Sequence, residues 1–292
     1  MRKFLVIYNP VSGAKNFRAT PDLIKSFLEK KKIEFVWFET LAKKNQPFEQ
    51  LSMQNFDRII VVGGDGTVRE LATFIIKKSI KVPMAIIPQG TGNLLATSLG
   101  IPLLSTSSAL NYAVESSFKP IDAIRINEDH FALVAAGQGY DSLFISGATR
   151  TLKRKYGFFA YVLSFLRTFF TYVNKKYHIS IDGKQIKTSA KLVLLLNTLS
   201  FSGIPLHKKI SPHDGLLDLL ILRPRTLWDL IKMLVLYPFH GVKSPKIQYF
   251  QGKEIVIKQL GGRKIQMDGE VFSARELRAS IVPNALNIVY EK

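Results

Sequence analysis

Three short loops hold the residues most able to do chemistry. Asn9-Pro10-Val11-Ser12-Gly13, with Lys15 just beyond it, combines a tight turn, a hydroxyl and a cation. Gly63-Gly64-Asp65-Gly66-Thr67, continuing as Val68-Arg69-Glu70, leaves backbone N–H groups uncovered by side chains. A helix N-terminus behind such a loop favours phosphate. A carboxylate at Asp65 suits that setting if Mg2+ bridges it to phosphates, or if it binds a nucleotide hydroxyl. Thr67 and Glu70 also have capping-box spacing, which would start the helix at Thr67. The third loop, Pro88-Gln89-Gly90-Thr91-Gly92-Asn93, is a second glycine-rich turn ahead of a helix beginning near Leu94. Two such loops at neighbouring strand ends are what a nucleotide crevice requires. Neither Gly-x-x-x-x-Gly-Lys-Ser/Thr nor Gly-x-Gly-x-x-Gly occurs, which sets aside P-loop and dinucleotide folds.

The elements that must position these loops alternate in the first third of the chain. Phe4 to Tyr8, Ile33 to Glu39, Arg58 to Val62 and Val82 to Pro88 read as strands. Thr20 with Pro21 marks a helix start, and Thr67 to Lys78 has helical spacing through Val68, Leu71, Ala72 and Ile75. Strands alternating with helices imply a parallel sheet whose ligands sit beyond the strand C-termini. From about residue 121 short alternating segments take over, at Ile121 to Ile126, Phe131 to Ala136, Tyr177 to Ile181, Leu192 to Leu196, Leu217 to Leu222 and Ile255 to Ile257. Asp182-Gly183 and Asp268-Gly269 are hairpin-turn dipeptides. This half is expected to be mostly antiparallel β and to form a second domain. Gly157 to Val173 is apolar, contains Arg167 and has basic flanks, which favours a packed or interfacial helix over a membrane span. Leu227 to Val235 has the spacing of a core-facing helix.

The 292 residues carry 41 Lys and Arg against 22 Asp and Glu, a formal charge of +19, so the surface should be drawn to polyanions. Zinc-finger spacing and an aromatic RNA-binding signature are both missing, so nucleic acid is not expected as a partner and an anionic membrane surface is. The chain has no cysteine, which excludes disulfides and thiolate metal sites. The apolar run after Met1-Arg2-Lys3 stops at Asn9-Pro10, too soon for a signal-peptide core, and the expected location is cytoplasmic with peripheral membrane association.

Taken in order, Asn-Pro-x-Ser-Gly, Gly-Gly-Asp-Gly-Thr-x-x-Glu and Pro-x-Gly-Thr-x-Asn resemble the diacylglycerol kinase catalytic-domain family, which includes bacterial soluble lipid kinases and sphingosine kinases. Further matches at Gly137 to Asp141, Asp214 to Asp218 and Asp268 to Glu270 extend the resemblance over nearly the whole chain. It implies an α/β ATP-binding domain over 1–122 plus 278–292 and an antiparallel β-sandwich lipid domain over 123–277, the last strand returning to the first domain. It also implies ATP held by Asn9 to Gly13, Lys15, Thr40, Gly63 to Thr67, Glu70, Gly90, Thr91 and Asn93. Asp214 resembles the ligand of a structural Mg2+, completed by backbone oxygens of Ser211 and Leu216. Glu270 resembles the proton acceptor for the lipid hydroxyl, with Asp268 as the competing candidate and Asp65 as the third catalytic carboxylate. Two positions depart from the pattern. Leu94 and Thr97 stand where many members have Asp and Arg, and Lys208-Lys209-Ile210 replaces the usual Pro-x-Ala ahead of the metal loop.

The implied activity is transfer of the γ-phosphate of ATP to a lipid alcohol, diacylglycerol first, giving phosphatidic acid. Other acceptors stay open (a sphingoid base, ceramide or phosphatidylglycerol), as do a soluble NAD-kinase-like enzyme, an inactive lipid- or nucleotide-binding relative, and a homodimer.

Overall fold

The structure is a computed structural model that describes residues 2–12, 19–41, 46–103, 105–128, 130–139, 173–198, 200–201, 204–205, 207, 209–226, 228–229, 246–261 and 264–291. Contacts divide the chain into Met1–Ala123 with Ser200–Ile204 and Pro283–Lys292, and Ile124–Leu199 with Pro205–Val282.

The first unit opens with β1 (Lys3–Tyr8), whose Leu5, Val6 and Ile7 have no exposed surface. Each such side chain contributes about 1.5–3 kcal/mol by leaving water. The chain then runs through α1 (Pro21–Lys30), β2 (Glu34–Glu39), β3 (Arg58–Gly63), α2 (Asp65–Lys77), β4 (Met84–Pro88), α3 (Leu94–Leu99) and α4 (Thr106–Glu115). Helix α1 begins as its sequence dictates. The Thr20 side chain accepts the Leu23 N–H, Pro21 occupies the first turn, and Ile24 and Leu28 face Phe4, Val6 and Tyr8. The strands pair in parallel in the order β2-β1-β3-β4. That order reverses direction between β1 and β3, so their carboxyl ends open a crevice at the switch point. Helix α2 starts two residues earlier than the capping-box spacing predicts. Gly64 is its N-cap, and Thr67 lies inside the first turn.

The chain enters the second unit along β5 (Phe118–Ile126). There follow β6 (His130–Ala132), β7 (Ala135–Gly139), β8 (Lys175–Ile181), β9 (Lys184–Ala190) and β10 (Leu192–Leu196). A short two-stranded sheet, β11 (Ser200–Phe201) and β12 (Ile204–Pro205), precedes β13 (Leu217–Leu222) and β14 (Ile247–Gly252). The last four strands are β15 (Glu254–Gln259), β16 (Lys264–Met267), β17 (Glu270–Ser273) and β18 (Leu277–Val289). One sheet runs β14-β13-β10-β7-β16-β17, antiparallel at each pairing described. The other places β18-β15-β8-β9 side by side, also antiparallel. Val193, Leu195, Leu219 and Ile221 of the first share one core with Tyr177, Ile179, Ile255 and Ile257 of the second. Alternate residues of both sheets thus fill the space between them, as a β-sandwich requires.

Both hairpin dipeptides turn as expected. Asp182-Gly183 joins β8 to β9 and Asp268-Gly269 joins β16 to β17, all four residues having positive φ. The single strand predicted over Phe131 to Ala136 is instead split into β6 and β7. The intervening N–H groups turn inward to a carboxylate described below. Strand β18 belongs to both units. Its first residues pair with β15, and its Ile288 pairs in parallel with Met84 of β4.

Of the helices expected in the second half, Gly157 to Val173 lies almost wholly outside the described residues. The start of the other is described. Thr226 Oγ1 accepts the Asp229 N–H at 3.0 Å, and Asp229 accepts the Thr226 N–H at 3.0 Å, a reciprocal cap. Among the described residues, no helix is long and apolar enough to cross a membrane.

Candidate active site

In the first unit the three glycine-rich or polar loops converge at the carboxyl ends of β1, β3 and β4. Asn9 follows β1, and its Nδ2 donates to Thr67 Oγ1 in α2 at 2.7 Å. Its Oδ1 accepts the Val11 N–H at 3.0 Å, while its carbonyl accepts Ser12 Oγ at 2.9 Å. One amide therefore shapes its own turn and fastens it to the next helix. Val11 is exposed, leaving the rim of the loop open. Gly13 and Lys15 lie outside the described residues.

The second and third loops touch through their backbones. A Cβ on Gly64 would stand 2.9 Å from Gly90 Cα, and one on Gly90 would stand 2.7 Å from Gly64 Cα. At Gly63 a Cβ would meet the Thr67 side chain at 2.8 Å. These glycines exist to permit close approach. Asn93, in left-handed conformation, closes the third loop on itself. It accepts the Gly90 N–H at 2.7 Å and donates to the Gly90 carbonyl at 2.8 Å.

Asp65 ties the same two loops together. Its Oδ1 accepts the Leu94 N–H, the first of α3, at 2.6 Å. Its Oδ2 would lie 3.0 Å from a Cβ on Gly92. Burial raises the Asp65 carboxyl above the usual range, opposed by N–H groups of Leu94, Asn93 and Leu95. Gly64, the N-cap of α2, supplies no side chain to cap the helix, and the first turn of a helix suits an anion. Glu70 accepts the Gln46 N–H at 3.0 Å and so braces the segment after β2. At the end of β2, Thr40 donates its N–H to Tyr8 O at 2.9 Å. Among the described residues its buried hydroxyl has no partner. Gly66 and Thr91 are exposed. Where the family pattern has Asp and Arg, Leu94 is exposed and Thr97 Oγ1 donates back to Asn93 O at 2.8 Å.

In the second unit the two candidate bases have separate fates. Asp268 is buried, and its carboxylate accepts three consecutive N–H groups, Leu133 at 2.7 Å, Val134 at 3.0 Å and Ala135 at 2.9 Å. This is what divides β6 from β7. Glu270, two residues on, opens β17 opposite Met267 and is half-buried. Asp268 is thus committed to the backbone of the segment between β6 and β7.

The proposed metal loop is a turn before β13. Asp214 is exposed; its Oδ1 accepts the Leu216 N–H at 3.0 Å and its Oδ2 approaches Gln251 Nε2 at 3.5 Å. Ser211 Oγ accepts the His213 N–H at 3.3 Å. Among the described residues no three His, Cys, Asp or Glu side chains cluster to chelate a metal. A cation here would rest on Asp214 and on carbonyl oxygens, a hard oxygen set that suits Mg2+.

Sequence reasoning matched Asp218, just after this turn, to the family pattern but gave its carboxylate no role. Asp218 is fully buried in β13, accepts a hydrogen bond from Tyr249 Oη and leaves its Oδ2 without a partner. Burial, with Asp214 nearby, pushes its carboxyl up to about 7, against hydrogen bonds from Tyr249 and Gln251. His207 stacks on Tyr249 with ring centroids 4.1 Å apart. An Asp inside an otherwise leucine-rich strand was the available signal.

A doubly layered β unit joined to an α/β unit with glycine loops at its switch point defines a class of kinase. Residues 3–126 match the diacylglycerol kinase catalytic domain, and residues 134–290 match the YegS C-terminal NAD kinase beta sandwich-like domain. A diacylglycerol kinase of Staphylococcus aureus is 30% identical over 278 residues, covering 91% of this chain and 85% of that one. The chain belongs to the diacylglycerol kinase family. Its fold is that of a diacylglycerol kinase from Bacillus anthracis, with a TM-score of 0.78 and 24% identity over 99% of this chain and 97% of the other. A more distant likeness is to an NAD kinase from Archaeoglobus fulgidus in complex with ATP, with a TM-score of 0.55 and 16% identity over 99% and 94% of the two chains.

Proposed function

We propose that this kinase transfers the γ-phosphate of ATP to the hydroxyl of a lipid alcohol, diacylglycerol before others, and yields phosphatidic acid at a membrane surface. The observation that carries the reading is the backbone contact between Gly64 and Gly90, which holds two N–H-bearing loops together at the carboxyl ends of β3 and β4, beside the switch point of the parallel sheet. Asn9, Ser12, Gly63 to Thr67, Gly90, Thr91 and Asn93 line the phosphates, with Gly13 and Lys15 completing the first loop. Thr40 offers its unpartnered hydroxyl to the nucleotide. Asp65 and Glu70 act chiefly by holding the loops still.

In the transfer the lipid oxygen attacks the γ-phosphorus, the bond to the β-phosphate oxygen breaks, and ADP leaves. The lipid proton passes to the Glu270 carboxylate as the new P–O bond forms. Positioning and charge neutralisation dominate such reactions, so the fixed loops carry more of the rate than the base. Asp65 is the carboxylate of the loop set that would hold Mg2+, which when bound would neutralise charge on the phosphates. A second, structural Mg2+ would be held by Asp214 and the backbone oxygens of Ser211 and Leu216.

The test is phosphate transfer from ATP to a panel of lipid alcohols in mixed micelles, with NAD as the soluble control. Transfer to diacylglycerol that depends on Mg2+ and falls in Glu270→Gln supports the reading. Transfer to NAD alone, or to no acceptor while ATP still binds, would sink it.

A further inference from the structure

The outer face of the second unit's β18-β15-β8-β9 sheet has a role that phosphate transfer does not explain. The pairing register puts Lys258 opposite His178, and His178 opposite Lys187, so these three form one row across the face. Lys176 follows on β8, two residues from His178 on the same side. All four are exposed, whereas the intervening Tyr177, Ile179 and Ile257 point into the core. Among the described residues none of Lys176, Lys187 and Lys258 is in an ion pair.

The row continues into an open groove of about 740 Å3 at the β15–β18 end, where Arg125, Arg275 and Arg278 join Lys258. Three carboxylates share it. Glu276 is taken up by Arg278 at 2.6 Å, and Glu254 and Glu128 are the others. Six cations therefore stand with three carboxylates, a positive excess along this face and its groove. Leu260, 42% exposed, donates its N–H to Lys176 O, and Val173, 63% exposed, leads into the same strand.

We propose that this face docks on an anionic bilayer. Cations spread over a flat sheet match a plane of anionic headgroups, and basic residues near such a leaflet act additively. Exposed Leu and Val beside the cations gain from a lipid interface and would gain nothing from the polar grooves of a nucleic acid. The proposal deepens the lipid-kinase reading, and its binding test needs no catalysis.

The experiment compares two triple variants of the full chain. Lys176→Gln, Lys187→Gln and Lys258→Gln together neutralise the row. Lys30→Gln, Lys32→Gln and Lys81→Gln remove the same charge from exposed positions in the first unit. Binding is measured by sedimentation with vesicles of equal phosphatidylglycerol and phosphatidylcholine, with phosphatidylcholine alone as the neutral arm and duplex DNA as the polyanion arm. Thermal melting confirms that both variants fold. The row variant is expected to bind anionic vesicles roughly a hundredfold more weakly, about fivefold per cation, while the control variant stays near the parent. Equal losses in both variants, or no loss in the row variant, would overturn the assignment. So would loss of DNA binding with vesicle binding intact. Phosphorylation of diacylglycerol in uncharged micelles, unchanged in the row variant, separates docking from catalysis; failure of all transfer would fall on the lipid-kinase reading alone.

Discussion

The first unit builds its site from backbone, and the second builds its site from side chains. Around α2 the decisive residues are glycines whose missing Cβ atoms let two loops meet. Around β16 and β17 they are carboxylates whose roles depend on what lies more than a hundred residues away, as with Asp268 and the amides of Leu133 to Ala135. Backbone sites tolerate no added atom, whereas side-chain sites discriminate by charge and hydrogen-bonding capacity. The two regions should therefore fail differently when probed.

The largest effect is expected at the glycine contact. Gly64→Ala or Gly90→Ala forces the loops apart, and overpacking of this kind costs about 1–3 kcal/mol, which lowers ATP affinity by up to about a hundredfold. Calorimetric titration with ATP measures it; unaltered affinity in both variants would show that the contact is not needed for the nucleotide. Next comes Asp268→Asn, which replaces a carboxylate holding three N–H groups by an amide that cannot accept all three. Urea unfolding should show a loss of about 2–4 kcal/mol. Glu270→Gln should lose phosphate transfer while unfolding at the parent's urea concentration. A catalytic defect in Asp268→Asn without lost stability would reverse the roles given to the two residues.

Asp218 sharpens the comparison through pH. Its folded carboxyl titrates at about 7, above the ordinary value of 3.8, so the folded chain holds a proton that the unfolded chain has released. Stability from this group is full below about pH 4, falls as pH rises towards 7, and is level above that. In chelator, Asp218→Asn should remove that slope and be more stable than the parent by up to about 4 kcal/mol at alkaline pH, the two converging in acid. Parallel melting curves across the range would refute the assignment. The smallest effect belongs to Thr97→Ala, which removes a local bond to Asn93 O and should shift stability by no more than about 0.5 kcal/mol. A large loss of transfer there would mean that the departure at Thr97 bears on catalysis.

The same contrast explains what could be read from sequence. Strands β1, β3 and β4 were legible as apolar runs bounded by turn residues, β10 and β13 as short segments between turn signals, and both Asp-Gly turns were legible from the dipeptide alone. Helix α2 was placed two residues late because capping-box spacing competed with a glycine N-cap, and tertiary bonds to Asn9 and Gln46 claimed Thr67 and Glu70. The loops were legible because their chemistry is local. The latch from Asp65 to Leu94, the cradle around Asp268 and the buried pair of Asp218 with Tyr249 join distant segments, and one-dimensional spacing holds no record of them.

Strand β18 has a consequence for how the protein is made. Strand β4 receives its second neighbour only when Ile288 reaches Met84, about two hundred residues after β4 itself has been translated. At roughly 5–20 residues per second, the ribosome leaves that sheet edge unpaired for about ten to forty seconds. The glycine-rich loops at the ends of β3 and β4 thus precede their own scaffold, and a chain stalled before β18 would carry them on a sheet with an open, aggregation-prone side.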